Sequence, residues 1–333
     1  MSDLNFILNE DKRSYSVSCS NKKIKDVVIP SMHEGLPVTG IEKEAFKKYN
    51  RLKTVEIPNS VTKIGTEAFR FCSSLSSIAI PNSVKYIEEL AFGSCGALKT
   101  ITIPCSVSYI KKYAFLGCGF ESITIIDDDG YISIGEAAFS LCNNLKQITI
   151  PSCVMSMNRS FSQCKSLERV IIKDGMTHIG KSAFSSCEKL KVVEIPGSVY
   201  FIDESAFSYC SSLTSITIPD SVGHIDKYAF KECKSLISIT IPGSVKHIGD
   251  YTFDKCSSLE SVIINDGVET ILSAFPDCKN LKSIRIPGSV NDVHSLFGYK
   301  EKHNKELIIK TPQGSKAHSY AVHNNIKYEI MNG

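Results

Sequence analysis

Thirteen cysteines stand in a chain of 333 residues that has no tryptophan. Thiols can serve as nucleophiles, metal ligands or disulfides, and each use makes a demand. A catalytic thiolate must be accessible and beside a base. Zinc needs four protein ligands in a closed site and three in a catalytic one. An odd count cannot be fully paired within the chain. Position decides among these uses. Cys72, Cys95, Cys118, Cys142, Cys164, Cys187, Cys210, Cys233, Cys256 and Cys278 follow one another at intervals of 22 to 24 residues, each three residues after a Phe, from Phe69 to Phe275. Phe46 and Phe297 extend the series, with Tyr49 and Lys300 in the cysteine place. Ten of the thirteen are thus one position repeated, in register with Phe and Leu, which points them inward as small reduced hydrophobes. Neighbours in such a column could approach disulfide distance, but parallel Cβ directions argue against pairing. Cys19, Cys105 and Cys153 fall outside the column, and the last two sit in a turn that could leave them partly exposed.

A second series keeps the same period: Tyr86, Tyr109, Ser133, Ser156, His178, Phe201, His224 and His247, each followed by Ile or Met. His224 and His247 lie one period apart, so on adjacent strands their backbones would be about 5 Å apart. Two imidazoles do not complete a zinc site, and no carboxylate joins their column before Asp292. The members His178, Phe201, His224 and His247 read instead as a surface ladder of rings suited to protein contact. Asp127, Asp128 and Asp129 could offer oxygens to a hard cation, but no further carboxylates follow at a loop spacing that calcium needs. They read as a solvated turn. We expect no metal, no cofactor and no enzyme: neither a phosphate-binding glycine loop nor a His-Glu or serine-nucleophile motif is present.

The elements that must position these residues follow from the period. The unit reads I-P-x-S-V-x-x-I-x-x-x-A-F-x-x-C-x-x-L-x-x-I-x-I-P, cleanest from Ile195 to Pro219 and from Ile218 to Pro242. A repeat of about 20–29 residues points to a leucine-rich repeat solenoid. Alternation in Leu213–Pro219 predicts a half-buried strand ended by proline. Apolar residues every third position from Ala229 to Leu236 suit a short 3₁₀ or helical turn. A second short extended piece lies between them, near Val222–Ile225. The expected fold class is α/β: a right-handed, curved leucine-rich repeat solenoid of about twelve repeats, with stacked short parallel strands and short 3₁₀ or helical turns. We assign 1–40 to an amino-terminal cap, 41–310 to the repeat array as a single solenoid domain, and 311–333 to a carboxy-terminal cap with a helix near Ser315–Val322 and a strand near Ile326–Ile330. The regularity slips between about 118 and 165, where Gly119-Phe120 shortens one repeat and Met155–Phe161 lacks the usual Ala.

The outward strand face carries mostly Ser, Thr and other small residues, which pack well across strands. Arg169, Ile171, Val192 and Glu194 interrupt it within two adjacent repeats and form the candidate contact patch on this face. A net charge of +3 gives no electrostatic footprint for nucleic acid. No run approaches the roughly 20 apolar residues of a membrane helix, so we expect no membrane insertion.

The motifs I-P-x-S-V, A-F-x-x-C and L-x-x-I-x-I-P, kept from Ile29 to Ile309, resemble the BspA-like leucine-rich repeat of bacterial and protist surface proteins. Tyr15-Ser16-Val17 and Gly35-Leu36-Pro37-Val38 resemble that family's entry, and Leu307-Ile308-Ile309 and Tyr320-Ala321 its closing segment. The resemblance implies a non-enzymatic scaffold that binds proteins or glycans in adhesion or host interaction, at the cell surface or secreted. The alternative function is a structural spacer or self-associating scaffold; the sequence leaves the oligomeric state open. Met1–Glu10 shows no export signal, and many free thiols suit a reducing compartment, so a cytoplasmic location is the alternative.

Overall fold

The computed structural model describes residues 3–127, 130–298 and 303–331. The chain divides into two compact units, Met1–Leu167 and Glu168–Gly333. Both are stretches of leucine-rich repeat solenoid, built from the same turn of about 23 residues.

In the first unit the hairpins Leu4–Leu8 with Tyr15–Cys19 and Met32–His33 with Leu36–Ile41 are antiparallel, and the repeats stack through parallel pairs. Tyr15–Cys19 leads into a row formed by Leu36–Ile41, Lys63–Ile64, Tyr86–Ile87, Tyr109–Ile110, Ile132–Ile134 and Val154–Met157. A second row holds Asp26–Val28, Thr54–Glu56 and Ser77–Ile78, followed by the pair Thr100–Ile103 and Ser122–Ile125. In the second unit one row runs His178–Ile179, Phe201–Ile202, His224–Ile225, His247–Ile248, Thr270–Ile271, Asp292–Val293. The other holds Arg169–Ile172 and Val192–Glu194, then Ser238–Ile241, Ser261–Ile264, Ser283–Arg285, Ile308–Thr311 and Lys327–Ile330. The helix Lys316–His323 is capped by Ser315, whose hydroxyl accepts from the His318 amide at 3.0 Å.

Ser215–Ile218 departs from the expected strand. Its side chains still alternate, with Ile216 and Ile218 only 9% and 6% exposed, yet it joins no strand ladder. Val193 and Ile195 beside it are half-buried, where Val170 and Ile172 in the preceding repeat are buried. Side-chain alternation and ladder register are separate conditions, and here only the first is met.

The third side of each repeat is a turn with its own hydrogen-bond ladder. In Glu67–Cys72 the amides of Ala68, Arg70 and Cys72 donate to carbonyls three residues back. Those of Glu67, Phe69 and Phe71 donate to Glu89, Ala91 and Gly93 of the next repeat at 2.9, 2.7 and 2.8 Å. Left-handed backbone at Glu67 (φ 56°) and Phe71 (φ 63°) produces this alternation, and Ser205 (φ 60°) and Tyr209 (φ 61°) repeat it in the second unit. Phe rings stack inside the turns: Phe46 to Phe161 in the first unit at 5.1–5.4 Å and Phe184 to Phe275 in the second at 5.3–5.7 Å.

The irregular repeats of the first unit have local causes. Phe120 takes the core place of the missing Leu and tilts against Phe115 at 5.7 Å. Gly119 is required there, because a Cβ would fall 2.0 Å from the Gly96 carbonyl oxygen. Buried Ser160 replaces the Ala before Phe161, and the pairing of Ile132–Ile134 with Val154–Met157 shifts register between Ile132 and Ser133.

Candidate functional site

The ring ladder is built on the short second strands of the second unit. His178 pairs with Phe201, Phe201 with His224 and His224 with His247 in the parallel register. That register holds equivalent side chains about 4.8 Å apart. The rings of His178 and Phe201 stack at 4.4 Å and 13°, and those of Phe201 and His224 at 4.9 Å and 10°. The stacked contacts run from His178 to His224, and His247 stands next to them in register. Tyr200, outside the expected column, meets Phe201 and His224 edge-on at 4.7 and 5.4 Å. Its ring lies over Gly223, where a Cβ would fall 2.4–2.6 Å from ring atoms. In the first unit Tyr86 and Tyr109 form a matching stacked pair at 5.6 Å.

Where the stack ends, a groove of about 240 Å³ opens, lined by Phe201, Asp203, His224, Asp226, His247 and Gly249 among others. The Asp203 carboxyl is half-buried, and burial raises its pKa above the ordinary 3.8; Asp226 adds to the rise and His178 opposes it. Neighbouring lysines turn elsewhere: Lys181 and Lys227 both meet Glu204, at 2.9 and 3.8 Å. The sequence reading missed Tyr200, Asp203 and Asp226. A signal existed, since each Asp follows a ring-Ile pair, in Phe201-Ile202-Asp203 and His224-Ile225-Asp226.

The patch on the first strands is assembled as neighbours. Arg169 pairs with Val192 and Ile171 with Glu194 in register. The Arg169 guanidinium donates to the Glu194 carboxylate, with both side chains about half exposed, 47% and 49%. Val192 is 40% exposed and Ile171 half-buried. Lys191 and Glu168 add a second cross-strand ion pair at 3.3 Å. The patch thus neutralises its own charge, whereas the groove does not.

Asp127 accepts a hydrogen bond from the Ser152 hydroxyl at 2.8 Å, while Asp128 and Asp129 lie outside the described residues. Among the described residues no group of three or more His, Cys, Asp or Glu could hold a metal ion. No helix among them is long and apolar enough to cross a membrane.

A model of the BspA type leucine rich repeat region matches residues 14–132, 128–235 and 177–304. The chain belongs to this family. Among solved structures, a leucine-rich repeat protein from Bacteroides ovatus is 24% identical with a TM-score of 0.73, over 100% of this chain and 99% of that one. The pneumococcal vaccine antigen PcpA is 18% identical with a TM-score of 0.57, over 100% and 98%. Both likenesses are likenesses of fold. No curated protein matches the chain in sequence.

The cysteine column of these BspA-type repeats has a bonding role that spacing alone did not reveal. Within each unit the column thiols donate to the carbonyl of the Phe one repeat back: Cys72 to Phe46 at 3.0 Å, Cys118 to Phe92 at 3.1 Å, Cys210 to Phe184 at 3.3 Å, Cys256 to Phe230 at 3.2 Å. That carbonyl already accepts the amide three residues on, so the thiol occupies its second lone pair. Burial pushes the Cys72 and Cys233 thiols up to about 12. Of the three strays, Cys19 and Cys153 are buried, the latter against the expectation of exposure, and Cys105 is half-buried.

Proposed function

We propose that this BspA-type chain is a non-enzymatic scaffold that binds protein or glycan partners in adhesion or host interaction at the cell surface. The observation that carries this reading is the ring column of the second unit, exposed at His178 and His247 and half-buried at Phe201 and His224, which ends in a groove with two carboxylates. Stacked rings held by a backbone ladder are pre-organised, so binding costs little ordering entropy. Aromatic residues are also the side chains that dominate interface energetics. Family membership and a neighbour described as a vaccine antigen support the surface location.

The test is an array screen of the intact chain against matrix proteins and glycans. A partner found there should bind at least tenfold more weakly to the Phe201→Ala/His224→Ala double variant. Undiminished binding by that variant, with loss in Arg169→Glu, would move the site to the strand patch of Arg169, Ile171, Val192 and Glu194. Turnover of a substrate without binding to any partner would sink the proposal.

A second reading, a self-associating scaffold, draws on Lys327–Ile330. This is the last strand of its sheet, and all four residues are exposed. Open strand edges recruit further strands. Light scattering across a concentration series separates the two, since an oligomer that Ile330→Lys dissolves would favour assembly.

A further inference from the structure

The groove at the end of the ring stack holds two carboxylates that the neighbouring lysines leave unpaired, with His178 alone acting on Asp203 in the opposite sense. Asp203 is half-buried, and Asp226 lies close enough to act on it electrostatically. The lysines that could compensate are committed: Lys181 and Lys227 to Glu204, and Lys246 to Glu269 at 3.3 Å. Among the described residues the Asp226 carboxylate accepts one hydrogen bond, from the Lys227 amide at 2.6 Å. A partly desolvated carboxylate beside a second one favours a positive guest. The walls are rings: Phe201 is covered by His178 on one side and His224 on the other, and His247, in register beside His224, lines the groove with them. At about 240 Å³ the groove is smaller than the roughly 300–1,000 Å³ of small-molecule sites, a size suited to one side chain.

We propose that this groove holds the cationic end of a lysine or arginine side chain presented by a partner protein, an inference that rests on the binding role proposed above. The guest's aliphatic stem lies along Phe201 and His224, as long basic side chains cover apolar surface while keeping the head polar. The ammonium or guanidinium reaches Asp203 and Asp226 through charge-assisted hydrogen bonds, for which arginine's planar fork is best shaped. A glycan would find the rings stacked on one another, with few faces free.

The experiment uses the full chain carrying ¹³C-labelled Phe and His, titrated with Nα-acetyl-arginine methylamide. The neutral citrulline counterpart and lactose serve as comparison probes. The expected result is saturable shifts of the Phe201 and His224 ring signals with the arginine probe, at least tenfold weaker with citrulline. Asp203→Asn and, independently, exposed Asp226→Asn should each weaken the arginine response severalfold. Asparagine has the same shape and removes only the charge, so the Asp203→Asn chain should melt at or above the wild-type temperature. An equal response to citrulline, a response to lactose alone, or undiminished arginine binding in both variants would overturn the proposal. A silent groove in a chain that still binds a partner in the array screen would overturn this inference alone and leave the binding role standing.

Discussion

A buried thiol that gives its proton to a carbonyl is a structural group, and each ladder cysteine behaves as one. Removing Cys210 to Ala takes away packed volume and the bond to the Phe184 carbonyl at 3.3 Å. That change should cost about 1–2 kcal/mol, as read by denaturant midpoint. Phe207→Ala, which breaks stacks at 5.7 and 5.6 Å on its two faces, should cost about 3–5 kcal/mol. Thiol labelling of the native chain should reach Cys105 first, as the half-buried cysteine, and the ladder cysteines only after denaturation; rapid native labelling of several thiols would contradict the buried column. At Asp203 the expected effect runs the other way. Burial raises its folded-state pKa, so the folded chain holds that proton more tightly than the unfolded one. The resulting stability is fully present below the unfolded value of 3.8 and lost as pH rises through the raised folded value. Asp203→Asn should therefore melt above wild type at pH 7, with the gap closing as pH falls toward 4.

At the scale of the element, the repeats from Glu44/Lys48 to Tyr251/Lys255 are each governed by two left-handed residues in the turn. Gly117, at φ 67°, is the one glycine of the column that Phe71, Ser94 and Leu141 share. Because a Cβ there would meet only the Ser94 hydroxyl at 3.8 Å, Gly117→Ala tests backbone strain alone and should cost about 1 kcal/mol. Leu141, at φ 62° and 36% exposed, offers the converse: Leu141→Gly relieves about 1–2 kcal/mol of left-handed strain but gives up a comparable amount in side-chain burial and backbone entropy, so it should change stability by less than about 1 kcal/mol. Thermal melts check both. These turns also mark the limit of what the chain's pattern discloses. Apolar spacing of three from Ala229 to Leu236 shows that the chain turns and which side faces in, as it does throughout the array. It carries no trace of the left-handed angles, because Glu, Phe, Ser and Tyr occupy those places without preference for them. Likewise the alternation in Ser215–Ile218 declares its buried face and says nothing of the missing ladder.

At the scale of the whole molecule, the repeat made both the solenoid and the two candidate columns legible. A fixed period places His178, Phe201 and His224 above one another just as it places Arg169 beside Val192. The groove was only half legible: the ring-Ile-Asp spacing places Asp203 and Asp226 together, but the sequence does not show that neighbouring lysines choose Glu204. The exposed Arg169–Glu194 pair should be worth little to folding, since such pairs contribute about 0.2–1 kcal/mol. Exchanging the two charges should therefore leave the melting temperature nearly unchanged, so that any loss of partner binding can be assigned to the contact itself.

The claim that binding is seated on the ring column is tested most directly by hydrogen exchange of the full chain, with and without a partner from the array screen. Protection concentrated in residues 199–204, 222–227 and 245–249 is the result predicted here. Protection confined to the first-strand segments 169–172 and 192–194, or to the terminal strand 327–330, would contradict it.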